Sequence, residues 1–420
     1  MKQRTIIKIG LASIVILALS LWVKSRYNVW FGNPPEATYS PLKEPGRILI
    51  TFGDSTSSSR NISWQCDSVL VPSYAEVVDM ASQDTFTMKA QGEIFESRSG
   101  KAAYYVVRLR KLKSDNRYAY RVFNGKKASS WYQFSTHNGK TADDYSFLFV
   151  GDIQDSIHGK TNLFLKKAIQ THPESEFLLC GGDLTERPTD AYWEETFRGL
   201  DSISTTYPVL NITGNHDYLK YVIRKLERRF SLIFSYYLDS MVGENQVYTL
   251  KYNDTQFFFL DSNREFFYLW TQKNWLEEKL KNSQARWKIV VLHHPIYSMK
   301  GENNNLIQRT LFGDLINRSK VDLVLQGHEH AYGRMTDPDR DSIATTPVYT
   351  ISHCSPKSYK AKNATAFDKV DLENKVYQLI RIQKDTLHMT SYNAETGEPL
   401  DKLYIIKNGT ETVIKEITNH

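Results

Sequence analysis

A small all-β sandwich followed by a larger α+β domain is the architecture predicted for this 420-residue chain. Three patterns predict it. Between residues 46 and 136, short strand-like runs are separated by polar turns at the spacing of a small sandwich. From Tyr145 onward, apolar strands alternate with stretches of helical period. Beyond residue 347 the pattern returns to strands alone. The length suits two or three domains, and 25 Tyr, 20 Phe and 8 Trp provide bulk for large cores.

The chain starts with a basic segment and an uncharged apolar run, residues 9–23. That run has the length of a secretory signal, and Ala18-Leu19-Ser20 offers a small-x-small cleavage site. Taken over residues 6–23, with Lys8 snorkelling to the headgroups, it also spans a bilayer. Residues 1–26 are thus a cleaved signal or an uncleaved membrane anchor. Either leaves the body extracytoplasmic (secreted, periplasmic or at the surface) with the basic N-terminus inside. Residues 27–45, with Asn33-Pro34-Pro35 and Pro45, read as a linker.

The formal charge of +6 is concentrated at the start. Five of the 53 basic residues (Lys2, Arg4, Lys8, Lys24 and Arg26) lie there, leaving 48 against 47 acidic residues. That balance implies no nucleic-acid partner. Three cysteines make no disulfide framework.

In residues 46–138, strands are expected at 47–53, 60–66, 74–80, 86–92, 103–110, 117–124 and 130–136. In residues 139–420, helices are expected at 160–171, 191–200, 219–230, 271–282 and 306–317. Residues 247–252 and 255–260 read as a hairpin around Asn253-Asp254. The tail offers strands at 347–351, 376–382, 386–392 and 402–406, expected to complete a second sheet.

Five predicted strands end in polar clusters. Residues 147–150 run into Gly151-Asp152, and 177–180 into Gly181-Gly182-Asp183. The run from Val209 ends in Gly214-Asn215-His216-Asp217. Residues 289–292 run into His293-His294, and 323–326 into Gly327-His328-Glu329-His330. Any one ending reads as a turn with a helix cap, or as a structural histidine. Together they deliver carboxylates, an amide and imidazoles, the donors that hard and borderline divalent metals take. The carboxyl ends of parallel strands are where α/β sheets place ligands.

The ordered set GD, GGD, GNHD, VxxH and GHxH resembles the calcineurin-like metallophosphoesterases. His293-His294-Pro295 and the GHEHAY run from Gly327 to Tyr332 look most like the purple acid phosphatase branch. Ile62-Ser63-Trp64 and Leu112 with Tyr118 resemble a fibronectin type III-like domain. The last pair has the spacing of a tyrosine corner, with Ser114 where Pro is usual. In plant-type members of the branch such a sandwich precedes the catalytic domain.

The resemblance implies an αββα metallophosphoesterase sandwich holding two metal ions (iron, manganese or zinc). It implies hydrolysis of a phosphate monoester by a metal-bound hydroxide. By the same resemblance, Asp183 bridges the metals, Asp152 and His330 bind the first, and Asn215, His293 and His328 the second. His216 meets the phosphate and Asp217 orients its ring. His294 is left as a supporting, substrate-facing or structural group. A phosphodiesterase with the same site, or a catalytically weak binding protein, are the rival readings.

This sequence departs from the branch at three places. Glu186 stands where a metal-binding Tyr is usual, and either ligates in its place or is a solvated side chain. Gln154 stands where the branch has Gly and many other superfamily members have His, and its carbonyl oxygen offers a weaker metal ligand. Glu302, in the polar loop 300–305, takes the place of an outer His and marks a substrate loop.

Overall fold

The computed structural model describes residues 2–137, 144–236, 246–336, 347–409 and 411–417. The apolar start forms one helix, Lys2–Phe31. No Gly or Pro interrupts it between Gly10 and Gly32, so it runs on through Tyr27 and Trp30 before Gly32 and Asn33-Pro34-Pro35 stop it. Ile7–Phe31 is long and apolar enough to cross a bilayer, and none of its most apolar stretch is buried.

The sandwich follows. One sheet orders Gly46–Phe52, Arg60–Cys66, Lys101–Leu109 and Gln91–Glu96. The other holds Thr85–Lys89, Ser73–Asp79, Asn116–Asn124 and Lys127–Ala128, with Tyr132–Thr136 also on Asn116–Asn124. Ile62, Trp64, Val77, Tyr105 and Tyr120 fill the space between them. The strand expected at 86–92 is two strands in different sheets, because the chain crosses from one sheet to the other at Ala90. Lys113 N–H donates to the Tyr118 hydroxyl at 2.7 Å, so the corner forms with Ser114 in place of Pro.

The second domain is two seven-stranded mixed sheets. The first orders Val209–Asn211, Ser175–Cys180 and Asp144–Val150 in parallel, then Val376–Gln383, Thr386–Asn393, Pro399–Asn408 and Glu411–Glu416 antiparallel. The second carries Thr255–Phe259, Trp287–Val291, Leu323–Gln326 and Val348–Ile351 in parallel. Alternation along these strands sorts their side chains. Phe257, Phe259, Ile289 and Val291 join Phe147, Phe149 and Phe177 between the sheets. Phe258, Val290 and Val324 face outward, with Leu269 and Leu276 of the helix Phe266–Asn282. The tail therefore feeds both sheets, with Val348–Ile351 in one and Val376–Gln383 in the other.

Two expected helices differ. In place of 219–230 there is a short hairpin, Tyr218–Leu219 with Lys225–Leu226, and then a helix Arg228–Phe234. Glu227 sets the helix start by accepting from Arg229 N–H at 2.8 Å. The expected helix 306–317 is Leu306–Gln308, a π turn Arg309–Gly313 and Asp314–Arg318. The wide turn keeps Leu311, Phe312, Leu315 and Ile316 all buried.

Candidate metal centre

The parallel strands of both sheets end at one place. The first sheet delivers Asp152, Asp183 and Asn215, and the second delivers His293, His328 and His330. The chain leaves these strands sharply. Asp152, Asp183, His328 and His330 have φ of 45°, 53°, 72° and 44°. Each such left-handed non-Gly residue costs about 1 kcal/mol or more, and such residues cluster at functional sites. The neighbouring glycines make room. A Cβ on Gly214 would lie 1.9 Å from Asp183 Oδ1, and one on Gly327 2.3 Å from Asp152 Oδ2.

One half of the cluster is knit together. His293 Nε2 lies 3.3 Å from Asp183 Oδ2 and 3.2 Å from Asn215 Oδ1. His328 Nδ1 lies 2.9 Å from the same Asn215 oxygen. His293 Nδ1 is 2.8 Å from the Gly181 carbonyl. A carbonyl only accepts, so Nδ1 carries the hydrogen and Nε2 faces the cluster.

The other half is open. Asp152 Oδ2 accepts from His328 N–H at 2.5 Å, while Asp152 Oδ1 lies 3.5 Å from His330 Nε2. Gln154 Nε2 is 3.2 Å from that imidazole nitrogen. Asp152 Oδ1, Gln154 Oε1 and His330 Nδ1 are buried and have no hydrogen-bond partner among the described residues. Buried polar atoms are ordinarily paired. Asp152, Asp183 and His293 each offer a ligand atom within 4.8 Å of the others. A metal ion fits this donor set.

The electrostatics agree with that use. Burial raises the Asp183 carboxyl, but His293 outweighs it and holds the group below the usual range. Burial lowers His293, but Asp183 and Asp152 push it up to about 9. A cation entering here therefore displaces a proton. Burial, then His294 and His293, push His328 far down, so its imidazole is neutral and can donate a lone pair.

The remaining expected residues are placed as follows. His216 Nδ1 is 2.6 Å from the Glu186 carbonyl, and its Nε2 is 3.9 Å from Asp183 Oδ2. The ring is thus oriented by Glu186 rather than by Asp217. Asp217 instead accepts from Gly214 N–H at 2.7 Å and holds the GNHD turn. Burial and then Asp183 push its carboxyl well above the usual range, which would make it a poor charge partner for an imidazolium. The Glu186 carboxylate takes Lys357 Nζ at 2.6 Å. His294 Nδ1 lies 3.0 Å from Ser262 Oγ, and its ring sits 4.3 Å from that of His328. Glu302 is exposed on its loop.

Tyr359, Lys357 and His353 lie outside the expected set, and Lys300, from the expected substrate loop, reaches the site in place of Glu302. Lys300 Nζ lies 3.4 Å from the His328 carbonyl and 4.0 Å above the Tyr359 ring, which is 4.6 Å from that of His330. Lys357 pairs with Glu186, and His353 stacks 6.1 Å from His330. Burial, with His330 beside it, lowers His353 to about 4. Two signals existed: a sixth strand ending in Ser352-His353, and the basic run from Lys357 to Lys362.

Comparison with known proteins gives independent findings. The family model for the calcineurin-like phosphoesterase matches residues 145–332, and that for the purple acid phosphatase N-terminal domain matches residues 45–136. A phosphoenolpyruvate phosphatase of Allium cepa is 25% identical over 325 residues, covering 69% of this chain and 63% of its own length. Purple acid phosphatase 5 of Arabidopsis thaliana is 24% identical over 356 residues, covering 80% and 79%. The solved structure of PhoD superposes with a TM-score of 0.65 at 13% identity, covering 92% of this chain and 94% of that one, and so shares the fold.

Proposed function

Because this chain is a purple acid phosphatase-like member of the calcineurin-like phosphoesterases, we propose that it hydrolyses phosphate monoesters outside the cytoplasm. The observation that carries this reading is the set of buried, unpaired donors on Asp152, Gln154 and His330, beside the bonded set Asp183, Asn215, His293 and His328. Asp152, His330 and the Gln154 carbonyl would hold one ion, Asn215, His293 and His328 the other, and Asp183 both. Two cations bound there neutralise phosphate charge and lower the pKa of a coordinated water.

The chain's own residues do the rest. His216, with Nδ1 committed to the Glu186 carbonyl, turns Nε2 toward the site. As an imidazolium it donates there to a phosphoryl oxygen or to the departing oxygen. Lys300 and Lys357 add positive charge at the rim, which draws an anionic ester in. Glu186 replaces the usual Tyr and is neutralised by Lys357. The first position then lacks a phenolate for ferric iron, and manganese or zinc suits it better.

The test is an assay on protein stripped of metal and reloaded with manganese, zinc or iron. Metal-dependent hydrolysis of a chromogenic monoester, faster than of the matching diester, is the expected result. Faster diester turnover would reassign the site as a phosphodiesterase. No turnover of either ester with any metal would leave a binding protein.

A further inference from the structure

Beside Asn215 and His216 opens a cleft of about 820 Å³, and its far wall is the end of the N-terminal helix. Val29, Asn33, Arg98, Arg187, His216 and Lys220 all line it. The helix end is fastened there. Asn33 Nδ2 donates to the Lys220 carbonyl at 2.9 Å, and Lys220 N–H donates to Asn33 Oδ1 at 2.8 Å. Arg98 donates to the Pro34 carbonyl at 2.7 Å and pairs with Glu36 at 3.0 Å. Lys220 Nζ lies 3.5 Å from the Val29 carbonyl. Val29 is only about 9 Å along the helix axis from Val23, where the apolar run ends. Lys24 and Arg26 follow that run, and Trp22, Tyr27 and Trp30 lie at the same end of it, the residue types that sit among lipid headgroups.

The loops around the site carry a second, independent signal. Directly after Lys220 come Tyr221, Val222 and Ile223, with Val222 79% and Ile223 66% exposed. Arg224 and Lys225 follow. The loop after Thr255–Phe259 leads to Phe267, 84% exposed, and the loop after Trp287–Val291 leads to Leu306, 54% exposed. These loops leave the same end of their sheets and are bonded together. Asn263 donates to the Thr213 carbonyl at 2.8 Å, and Gln308 to the Ser262 carbonyl at 3.0 Å. Exposed apolar tips flanked by cations, on a face that also holds a membrane-length helix, match a bilayer surface.

We infer that the site acts on a phosphoester carried by a lipid, with the Tyr221–Ile223 tip seated in the headgroup layer of the membrane that holds the helix. The inference rests on the phosphatase reading and adds its substrate class. Water adds to phosphorus, the bond from phosphorus to the lipid oxygen breaks, and the lipid hydroxyl leaves with a proton supplied through His216. Inorganic phosphate is released from a monoester, and the lipid alcohol stays in the bilayer.

The experiment uses the full chain in phosphatidylcholine vesicles containing phosphatidic acid or phosphatidylglycerol. A Val222→Cys protein is labelled with an environment-sensitive dye, the native cysteines being buried. The label should be shielded from water and quenched by nitroxides on the acyl chains. The Val222→Glu, Ile223→Glu double variant should lose about tenfold in turnover of vesicle phosphoester, while hydrolysis of a soluble chromogenic ester stays within about twofold. Three results would overturn the inference: a label that remains in water, a double variant as active on vesicles as the parent, or a protein that hydrolyses the soluble ester but neither lipid. Failure on the soluble ester itself counts against the phosphatase reading, and the label still reports docking.

Discussion

Two buried clusters of charge lie in this molecule, and they are built in opposite ways. At the junction between the domains, Asp190 takes Arg47 at 2.7 Å and Arg229 at 2.8 Å. Arg229 also takes Glu36 at 2.8 Å and Glu227 at 3.4 Å. Every one of those carboxylates has a guanidinium partner. Glu36 comes from the stretch before the sandwich, Arg47 from its first strand, and Asp190, Glu227 and Arg229 from the second domain. Among those five residues only Arg229 Nε lacks a hydrogen-bond partner, whereas at the candidate metal centre Asp152, Gln154 and His330 each keep an unpaired buried atom and the carboxylate and imidazole lie within 3.5 Å of each other. A cluster closed on itself holds the fold together, whereas a cluster left open awaits a ligand.

The largest expected effect falls on the open cluster. Asp183→Asn keeps the acceptor for the His216 N–H, bonded at 2.8 Å, and removes the charge shared by both halves. Turnover of the soluble monoester should fall by about a thousandfold or more, roughly 4 kcal/mol in the barrier. The melting temperature of the metal-free protein should fall only modestly, because His293, no longer paired with a charge at 3.3 Å, can release its proton. If melting fell steeply as well, the open cluster would be part of the fold and the contrast would fail.

Arg229→Met should do the reverse. It strands Asp190, Glu36 and Glu227 without their shared cation, and breaking a buried pair from one side costs about 3–5 kcal/mol. Denaturant titration should show that loss, while kcat per folded molecule on a soluble ester stays near the parent's. A normal stability would mean that Arg47 and Arg98 suffice to neutralise the junction.

These two clusters also differ in how legible they are. The open one is written in short contiguous signals, a strand followed by Gly and a metal-type donor, so Asp152, Asp183, Asn215, His293, His328 and His330 could be named from sequence and lie together in space. Their environment could not. Glu186 meets Lys357 across 171 positions, and only strand register brings them together. Residues 219–230 read as helix because their apolar residues suit a helical period, yet Tyr218–Leu226 is a hairpin. Pairing of Lys220 with Asn33 overrides that preference. The junction left no local trace at all, since Glu36, Arg47, Asp190 and Arg229 sit in no pattern that distinguishes a buried ion from a solvated one.

The smallest effect would show how closed the junction is. Burial pushes the Glu227 carboxyl up to about 7, and Arg229 offsets only part of that. In the unfolded chain a Glu titrates near 4.3. Between about pH 4.5 and 7 the folded protein thus retains a proton that the unfolded chain has released. Stability contributed by this group falls as pH rises through that window and levels off above it, by about 4 kcal/mol in all. Glu227→Gln carries no titrating group, so its stability at about pH 8 relative to pH 5 should drop less than the parent's by about 2.5 kcal/mol, the part of that total lost above pH 5. Equal drops in parent and variant would mean that Glu227 is ionised throughout, and that Arg229 holds three full charges rather than two.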